Sequence, residues 1–434
     1  MKSRNFHSFA ALSAICLTVQ PLLADQTSGD FTYTANSKGV TITDFTDSTA
    51  TEVVIPPQIS GKPVTGIGEG AFYNRQNLTS VTIPDSVTHI GEDAFFSCIG
   101  LMDLDLPDSL TTVGNGAFAS CESLLRISLP SGVTHLGSGA FQACRRLGSV
   151  SLPPDITIIN RFSFIGCVSL TNITIPKRVT KIGTYAFNGC TALETVKMPG
   201  SVGVIDERAF EACFKLKNIS LPDGLTKIGH YAFATCRSLT SVIIPASMTR
   251  IESGAFEGAK QLTQATFLGD APPDMAKRTN GAFASVAPDF TIYHLEGKSG
   301  FTTPVWQGYP CEVTELAPVI EVRQPTGTSL VDGKAKKSFG TLVVDAAKRE
   351  KTFTISNNGT ADLTGIVVTI NGANAEDFKI IAPTKKTLPI NGTTTFKVTF
   401  KPTGTGPREA EIHIEGKETG ENPFDIHLAG MGVK

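Results

Sequence analysis

An Ala-Phe pair, once Ser-Phe, recurs through the middle of the chain at Phe72, Phe95, Phe118, Phe141, Phe164, Phe187, Phe210, Phe233 and Phe256, every step being 23 residues. Other positions keep the same period. Counted from each Phe, position +3 is Cys in seven of nine copies, from Cys98 to Cys236, and +6 is always Leu, from Leu78 to Leu262. Positions +9 and +11 are apolar, and +12 is Pro in eight copies, from Pro84 to Pro245. A fixed period in this range marks a solenoid, because one repeat cannot bury its apolar face alone and stacked neighbours make a continuous core.

Within each unit the pattern Leu-x-x-Val-x-Ile, as in Leu78, Val81 and Ile83, predicts a short strand. Its +9 and +11 side chains point inward and its +8 and +10 side chains outward. Pro at +12 has no N–H for the ladder and closes the strand. Position +19 is Gly91, Gly114, Gly137, Asn160, Gly183, Asp206, Gly229 and Glu252. Residues of this kind tolerate left-handed backbone, so a tight turn is expected there, followed by a short helical or 3₁₀ turn carrying the Ala-Phe pair and the Cys.

The full unit, Gly-x-x-Ala-Phe-x-x-Cys-x-x-Leu-x-x-Val-x-Ile-Pro-x-x-Val-x-x-Ile, resembles the BspA type of bacterial leucine-rich repeat. One departure from the general leucine-rich pattern stands out. Position +14 carries Ser86, Ser109, Gly132, Asp155, Arg178, Ser201, Gly224 and Ser247 rather than an Asn or Cys ladder, so the backbone at that corner must be satisfied by other groups.

Residues 1–24 read as a secretory signal peptide: Lys2 and Arg4, an apolar run from Phe9 to Val19, then Pro21 to Ala24. The expected location is therefore exported: extracellular, cell-surface or periplasmic. Residues 25–71 alternate irregularly and are expected to form an N-terminal cap with a first irregular coil. The repeats proper span 72–266. After Phe256 the period fails, and 267–315 is expected to be a closing cap in which Ile292, Tyr293, Trp306 and Tyr309 cover the last coil.

Beyond this point Cys is absent, and alternating runs such as Lys351 to Ile355 and Thr395 to Phe400 follow, separated by Asn358-Gly359, Asn371-Gly372 and Asn391-Gly392. Six or seven short strands with these turn signals predict an immunoglobulin-like β-sandwich over 316–434. The stretches Phe353 to Gly359, Gly372 to Phe378 and Phe396 to Pro402 resemble the abnormal-spindle/Hydin type of sandwich, which in bacterial secreted proteins appears as the choice-of-anchor D domain. The expected fold is thus β-rich: a leucine-rich-repeat solenoid with short parallel strands and helical or 3₁₀ turns, then an immunoglobulin-like sandwich.

Chemistry is sparse. Eight cysteines follow residue 24, but equivalent side chains in a parallel stack point the same way, with Cβ atoms near ~4.8 Å apart where a disulfide wants about 3.8 Å. Free, buried thiols are expected. There is no Cys-x-x-Cys pair and no His cluster for a metal, and neither a Gly-x-Ser-x-Gly elbow nor a phosphate loop. No cofactor, metal or catalytic residue is expected. Lys plus Arg total 38 against 40 Asp plus Glu, a balance that calls for neither nucleic acid nor an anionic membrane.

The outward strand positions are mostly Ser, Thr, Asn and Gln, which suits either a solvated pleat or a weak polar binding strip. Asp103, Asp105 and Arg126 are the charged focus of that strip, with Met102 and Leu125 beside them. These five are the candidate ligand-binding residues. A second strip at +17 turns basic late, at Lys181, Lys227 and Arg250, joined by Lys177 and Arg178. Aromatics at +21, namely Phe162, Tyr185 and Tyr231, suit either an interface or packing on the turn. What the repeat resemblance implies is a secreted or surface binding protein, non-enzymatic, taking proteins or surface glycans as partners. A self-associating structural component of the cell envelope is the alternative.

Overall fold

The computed structural model describes residues 25–275, 281–315, 317–325, 328–390, 392–417 and 423–434. The expected signal peptide over 1–24 lies outside the described residues, as does Asn391 of the third Asn-Gly pair.

Each coil of the solenoid contributes to two parallel ladders. On the front, three-residue strands such as Ser80–Thr82 and Arg126–Ser128 show the expected pattern of exposed, buried, exposed. On the back, two-residue strands such as His89–Ile90 and Lys181–Ile182 bury their second residue. Neighbouring strands pair one repeat apart, as in Arg126 with Ser149 and Lys181 with Val204. Pro at +12 ends the front strand as its missing N–H requires.

The connecting segment is not helical. Among the described residues the one helical element is a 3₁₀ turn in the sandwich, Ala375–Asp377. The Ala-Phe segment instead forms stacked turns whose N–H groups reach the next coil: Asp93 donates to Asn115, Phe95 to Ala117 and Ser97 to Ala119, each at 2.8 Å. Left-handed residues fall at +21 and +2 of these turns, for example Asp93 (φ 50°) and Ser97 (φ 58°).

That corrects the reading of Gly at +19. Gly91, Gly114 and Gly137 do not have positive φ. A Cβ on any of them would sit 2.3–2.6 Å from backbone of the preceding coil. These glycines permit close approach of adjacent backbones rather than a left-handed turn.

Inside, the Phe rings form one column. Successive centroids lie 5.0–5.5 Å apart and the rings are nearly parallel from Phe72 to Phe283. Phe45 extends the column at the other end, 5.4 Å from Phe72. Both caps thus continue the column with a ring 27 residues outside the regular period. The N-terminal cap adds antiparallel strands Gln26–Ser28, Phe31–Ala35 and Val40–Phe45, the last pairing parallel with Lys62–Ile67. At the other end Tyr309 meets Phe283 edge-on, and Trp306 is buried against Phe267 and Phe301. Ile292 is buried and Tyr293 stays half-buried.

Among the described residues the sandwich has eight strands. One sheet runs Ile320–Arg323, Arg349–Asn357, Thr393–Phe400, Phe378–Ile381; the other runs Ala335–Val343, Phe424–Val433, Gly406–Lys417, Thr364–Asn371. Asn358-Gly359 and Asn371-Gly372 lie at strand ends but do not make two-residue hairpins; the chain leaves both strands for the opposite sheet. The buried cluster of the sandwich, from Val322 to Leu428, is separate from that of the solenoid, which ends at Cys311.

Candidate functional site

The front ladder presents its +8 and +10 side chains to solvent, and two coils of it contribute no strand. Residues 103–105 make only an isolated bridge from Asp103 to Ser80, and residues 218–220 make none. At the first of these the sequence is Asp-Leu-Asp-Leu, poor in the β-branched residues that favour a pleat, with Asp at both outward positions.

A shallow depression of about 410 Å³ lies there, lined by Asp103, Asp105, Asp108, Arg126, Ser128 and Ser151 among others. Arg126 pairs with Asp103 at 2.9 Å, and both side chains are more than half exposed, so the pair itself contributes little stability. Asp105 and Asp108 have no cationic partner among the described residues. Met102 and Leu125 stand beside the depression at 47% and 46% exposure, values that mark them as apolar surface rather than core. The Leu125 N–H donates to the Met102 carbonyl at 3.1 Å, which fixes the two side by side. Ile99, three residues before Met102, is also exposed.

Of the five residues singled out in the sequence, Asp103, Asp105 and Arg126 line the depression, while Met102 and Leu125 precede Asp103 and Arg126 in the chain and do not line it. Asp108 and Ile99 were missed, because they fall at +13 and +4, positions with no alternation to draw attention to them.

The basic strip at +17 is neutralised. Lys181 pairs with Asp206 at 2.8 Å, Lys227 with Glu252 at 3.1 Å, Arg250 with Asp274, and Arg178 with Asp155 at 3.1 Å. The carboxylates for Lys181 and Lys227 come from +19 of the next coil, which explains Asp206 and Glu252 at a position otherwise rich in Gly. Aromatics at +21 pack on one another: Phe162 stacks on Tyr185 at 5.4 Å, and Arg208 lies over Tyr185 at 5.7 Å and Tyr231 at 4.6 Å. All four residues have positive φ, from 54° to 61°.

The eight described cysteines are buried free thiols. Burial pushes the thiols of Cys98, Cys144 and Cys236 up to about 12, and the others in the ladder also rise well above the ordinary value. Such thiols are poor nucleophiles. The Ser residues at +14 supply part of the corner bonding: Ser86 donates to Val64 O at 2.7 Å, Ser109 to Val87 O at 2.6 Å and Ser247 to Leu225 O at 2.7 Å.

Among the described residues no group of three or more His, Cys, Asp or Glu is placed to hold a metal ion. No helix among them is long and apolar enough to cross a membrane. What the front face offers chemically is recognition: opposed charges, hydroxyls and a few apolar side chains on a stiff frame.

Comparison with known proteins gives two family matches. Residues 43–169 and 157–285 match the BspA type leucine rich repeat region, and residues 337–430 match the HYDIN/CFA65/VesB-like, Ig-like domain. No curated protein matches. Among solved structures, the chain is similar to a leucine rich repeat protein of T. pallidum, with 30% identity over 45% of this chain and 92% of that one, at a TM-score of 0.43. A leucine rich cell surface protein from Faecalibacterium prausnitzii A2-165 is 26% identical over 64% of this chain and 96% of that one, with a TM-score of 0.33. A leucine-rich repeat protein from Bacteroides capillosus is 31% identical over 29% of this chain and 96% of that one, with a TM-score of 0.26.

Proposed function

Because the chain belongs to the BspA-type leucine-rich-repeat family, whose model spans more than half of it, we propose that it is a non-enzymatic binding protein that recognises a protein or a surface glycan through the front face of its solenoid. The observation that carries this reading is the depression at residues 103–108, where charged and exposed apolar side chains meet on a face that is otherwise hydroxyl-rich. An Arg and exposed apolar groups beside carboxylates that lack an ion-pair partner suit recognition of a partner with complementary charge. The leader-like stretch at the start of the sequence supports an exported location, extracellular or at a cell surface. In this reading the sandwich serves as a spacer or docking unit.

The test is a binding panel for the full chain against extracellular matrix proteins, cell-wall glycans and the chain itself. Asp103→Ala with Asp105→Ala should weaken saturable binding at least tenfold while leaving the melting curve unchanged. Undiminished affinity in that variant would remove the depression from consideration. Self-association with no foreign partner would favour an envelope structural role instead.

A further inference from the structure

The two strandless coils of the front ladder are not in the same situation. The one at 218–220 is partly covered by the chain's own sandwich, which contacts Asn218 and leaves it exposed. With its side-chain amide turned to satisfy both neighbours, Asn218 donates to Lys217 O at 2.9 Å and accepts from Arg323 Nη2 of the sandwich at 3.3 Å. A cleft of about 280 Å³ lies beside it, walled by Leu221 and Ile243 of the solenoid and by Pro389 and Ile390 of the sandwich. Ile243 is the one apolar residue at the +8 and +10 positions of the nine coils, and it sits where the Pro389-Ile390 loop approaches. Within this molecule the strandless coil and the paired strand after it, Ser241–Ile244, thus act together as a seat, the first for an arginine and the second for an apolar loop.

The coil at 103–105 is a seat of the same kind, and it is open. Its polar side is more acidic than that of the covered seat: Asp103, Asp105 and Asp108 face the single cation Arg126. Its apolar side is Met102 and Leu125, with Ile99 beyond. Resting on the binding function proposed above, we propose that this seat takes a protein segment from another molecule that presents a basic side chain next to an apolar one. The basic group would meet Asp105 and Asp108, which have no ion-pair partner among the described residues. The apolar group would cover Met102 and Leu125, removing exposed apolar side chains at the site from water. Arginine suits the polar half better than lysine, since its planar fork can bridge carboxylates on adjacent positions.

The experiment uses the full chain and three synthetic twelve-residue peptides: one alternating Arg and Leu with Ser spacers, one with Glu for every Arg, and one with Ser for every Leu. The first should bind saturably, at least tenfold more tightly than either of the others, and weaken about tenfold or more between 0.05 and 0.5 M NaCl as the charges are screened. Asp105→Asn with Asp108→Asn, and separately Met102→Ser with Leu125→Ser, should each cost about tenfold. Asp223→Asn with Asp362→Asn, at the covered cleft, should leave the affinity unchanged. All these positions are solvent-facing, and melting curves verify that the variants remain folded.

Equal binding of the Arg and Glu peptides would overturn the proposal, as would binding insensitive to Asp105→Asn with Asp108→Asn. If no peptide binds but capture of a panel partner is still lost in the Asp103→Ala, Asp105→Ala chain, the partner chemistry is wrong and the site stands. If panel capture ignores that double variant, the site itself is wrong.

Discussion

The thiol of Cys121 donates to the carbonyl oxygen of Phe95, one coil back, at 3.3 Å. The same bond recurs up the array, from Cys98 with Phe72 at 3.1 Å to Cys236 with Phe210 at 3.2 Å. Each of these Phe carbonyls also accepts the N–H of residue +3 of its own coil, as Phe95 O does from Cys98 at 3.2 Å and Phe72 O from Arg75 at 3.3 Å. Cys is therefore a small apolar residue with one weak donor, placed where a buried carbonyl has a lone pair to spare.

Protonation of these thiols links folding to alkaline pH. Their folded values lie above the ordinary 9.0, reaching about 12 for Cys144, because burial disfavours the thiolate. An acid held in its protonated form by folding contributes stability that is complete below the unfolded value and lost as pH rises through the folded one. The denaturant midpoint should therefore be flat up to about pH 8.5 and fall steadily above about pH 9. The eight buried thiols should show almost no labelling at pH 8 in the native protein, and all of them should react in guanidinium. Cys144→Ala should cost about 1–2 kcal/mol, with Cys144→Ser closer to wild type because a donor remains. Rapid labelling of the native array would refute the burial argument.

Phe164 stacks on Phe141 at 5.5 Å and on Phe187 at 5.2 Å, with no surface exposed. Phe164→Ala should cost about 3–5 kcal/mol. Because each coil contacts only its neighbours, the loss should appear as faster amide exchange in the coils on either side of residue 164, fading toward both caps. Uniform exchange along the whole array would show that the coils unfold only together.

Arg208 pairs an unfavourable backbone with favourable contacts. Its φ of 54° is a conformation that costs an L-residue about 1–2 kcal/mol, and its guanidinium lies over two tyrosines and pairs with Glu211 at 3.0 Å. Arg208→Ala keeps the strain and removes the contacts, whereas Arg208→Gly removes both. The glycine variant should be more stable than the alanine variant by about 1 kcal/mol, the reverse of the usual order. Thermal melts of the two proteins decide it.

In the sandwich, the Asp377 side chain is fully buried and receives the Arg408 guanidinium, the Thr403 N–H at 2.9 Å and the Thr403 hydroxyl at 2.7 Å. Burial alone would raise its pKa; the hydrogen bonds from Arg408 and Thr403 outweigh it and hold the carboxyl below its ordinary value. A depressed carboxylate stabilises above its unfolded pKa and loses that contribution as pH falls through the folded one. Sandwich unfolding should thus become easier only below about pH 4. Asp377→Ala leaves the mostly buried Arg408 with only the exposed Glu376 as a partner, at 3.6 Å, and should cost about 3 kcal/mol in a denaturant titration of the full chain.

The period, the inward and outward positions and the two-part architecture were legible because each rests on a strong local preference repeated many times. Glycine at +19 was legible as a constraint but not as to which one, since a left-handed turn and a close backbone approach select the same residue. The true left-handed positions were hidden: +2 is held by Asn74, Ser97, Ser120, Ala143 and Gly166, which share no side-chain chemistry. The strandless coil at 103–105 keeps the apolar alternation of its neighbours, in Leu104 and Leu106, so only its want of β-branched residues distinguished it. Phe45 and Phe283 escaped the repeat count because both caps lengthen the step by four residues.

The open and covered seats are five repeats apart, from residue 103 to residue 218. With stacked strands ~4.8 Å apart, that is about 24 Å along the axis. The coils between them bond to their neighbours one repeat away, so a unit of 23 residues can be gained or lost there in the same pattern. The array is in effect a ruler with one graduation per coil. Duplication or deletion of a unit changes the reach between a bound partner and the sandwich in whole steps, and point substitutions leave it untouched.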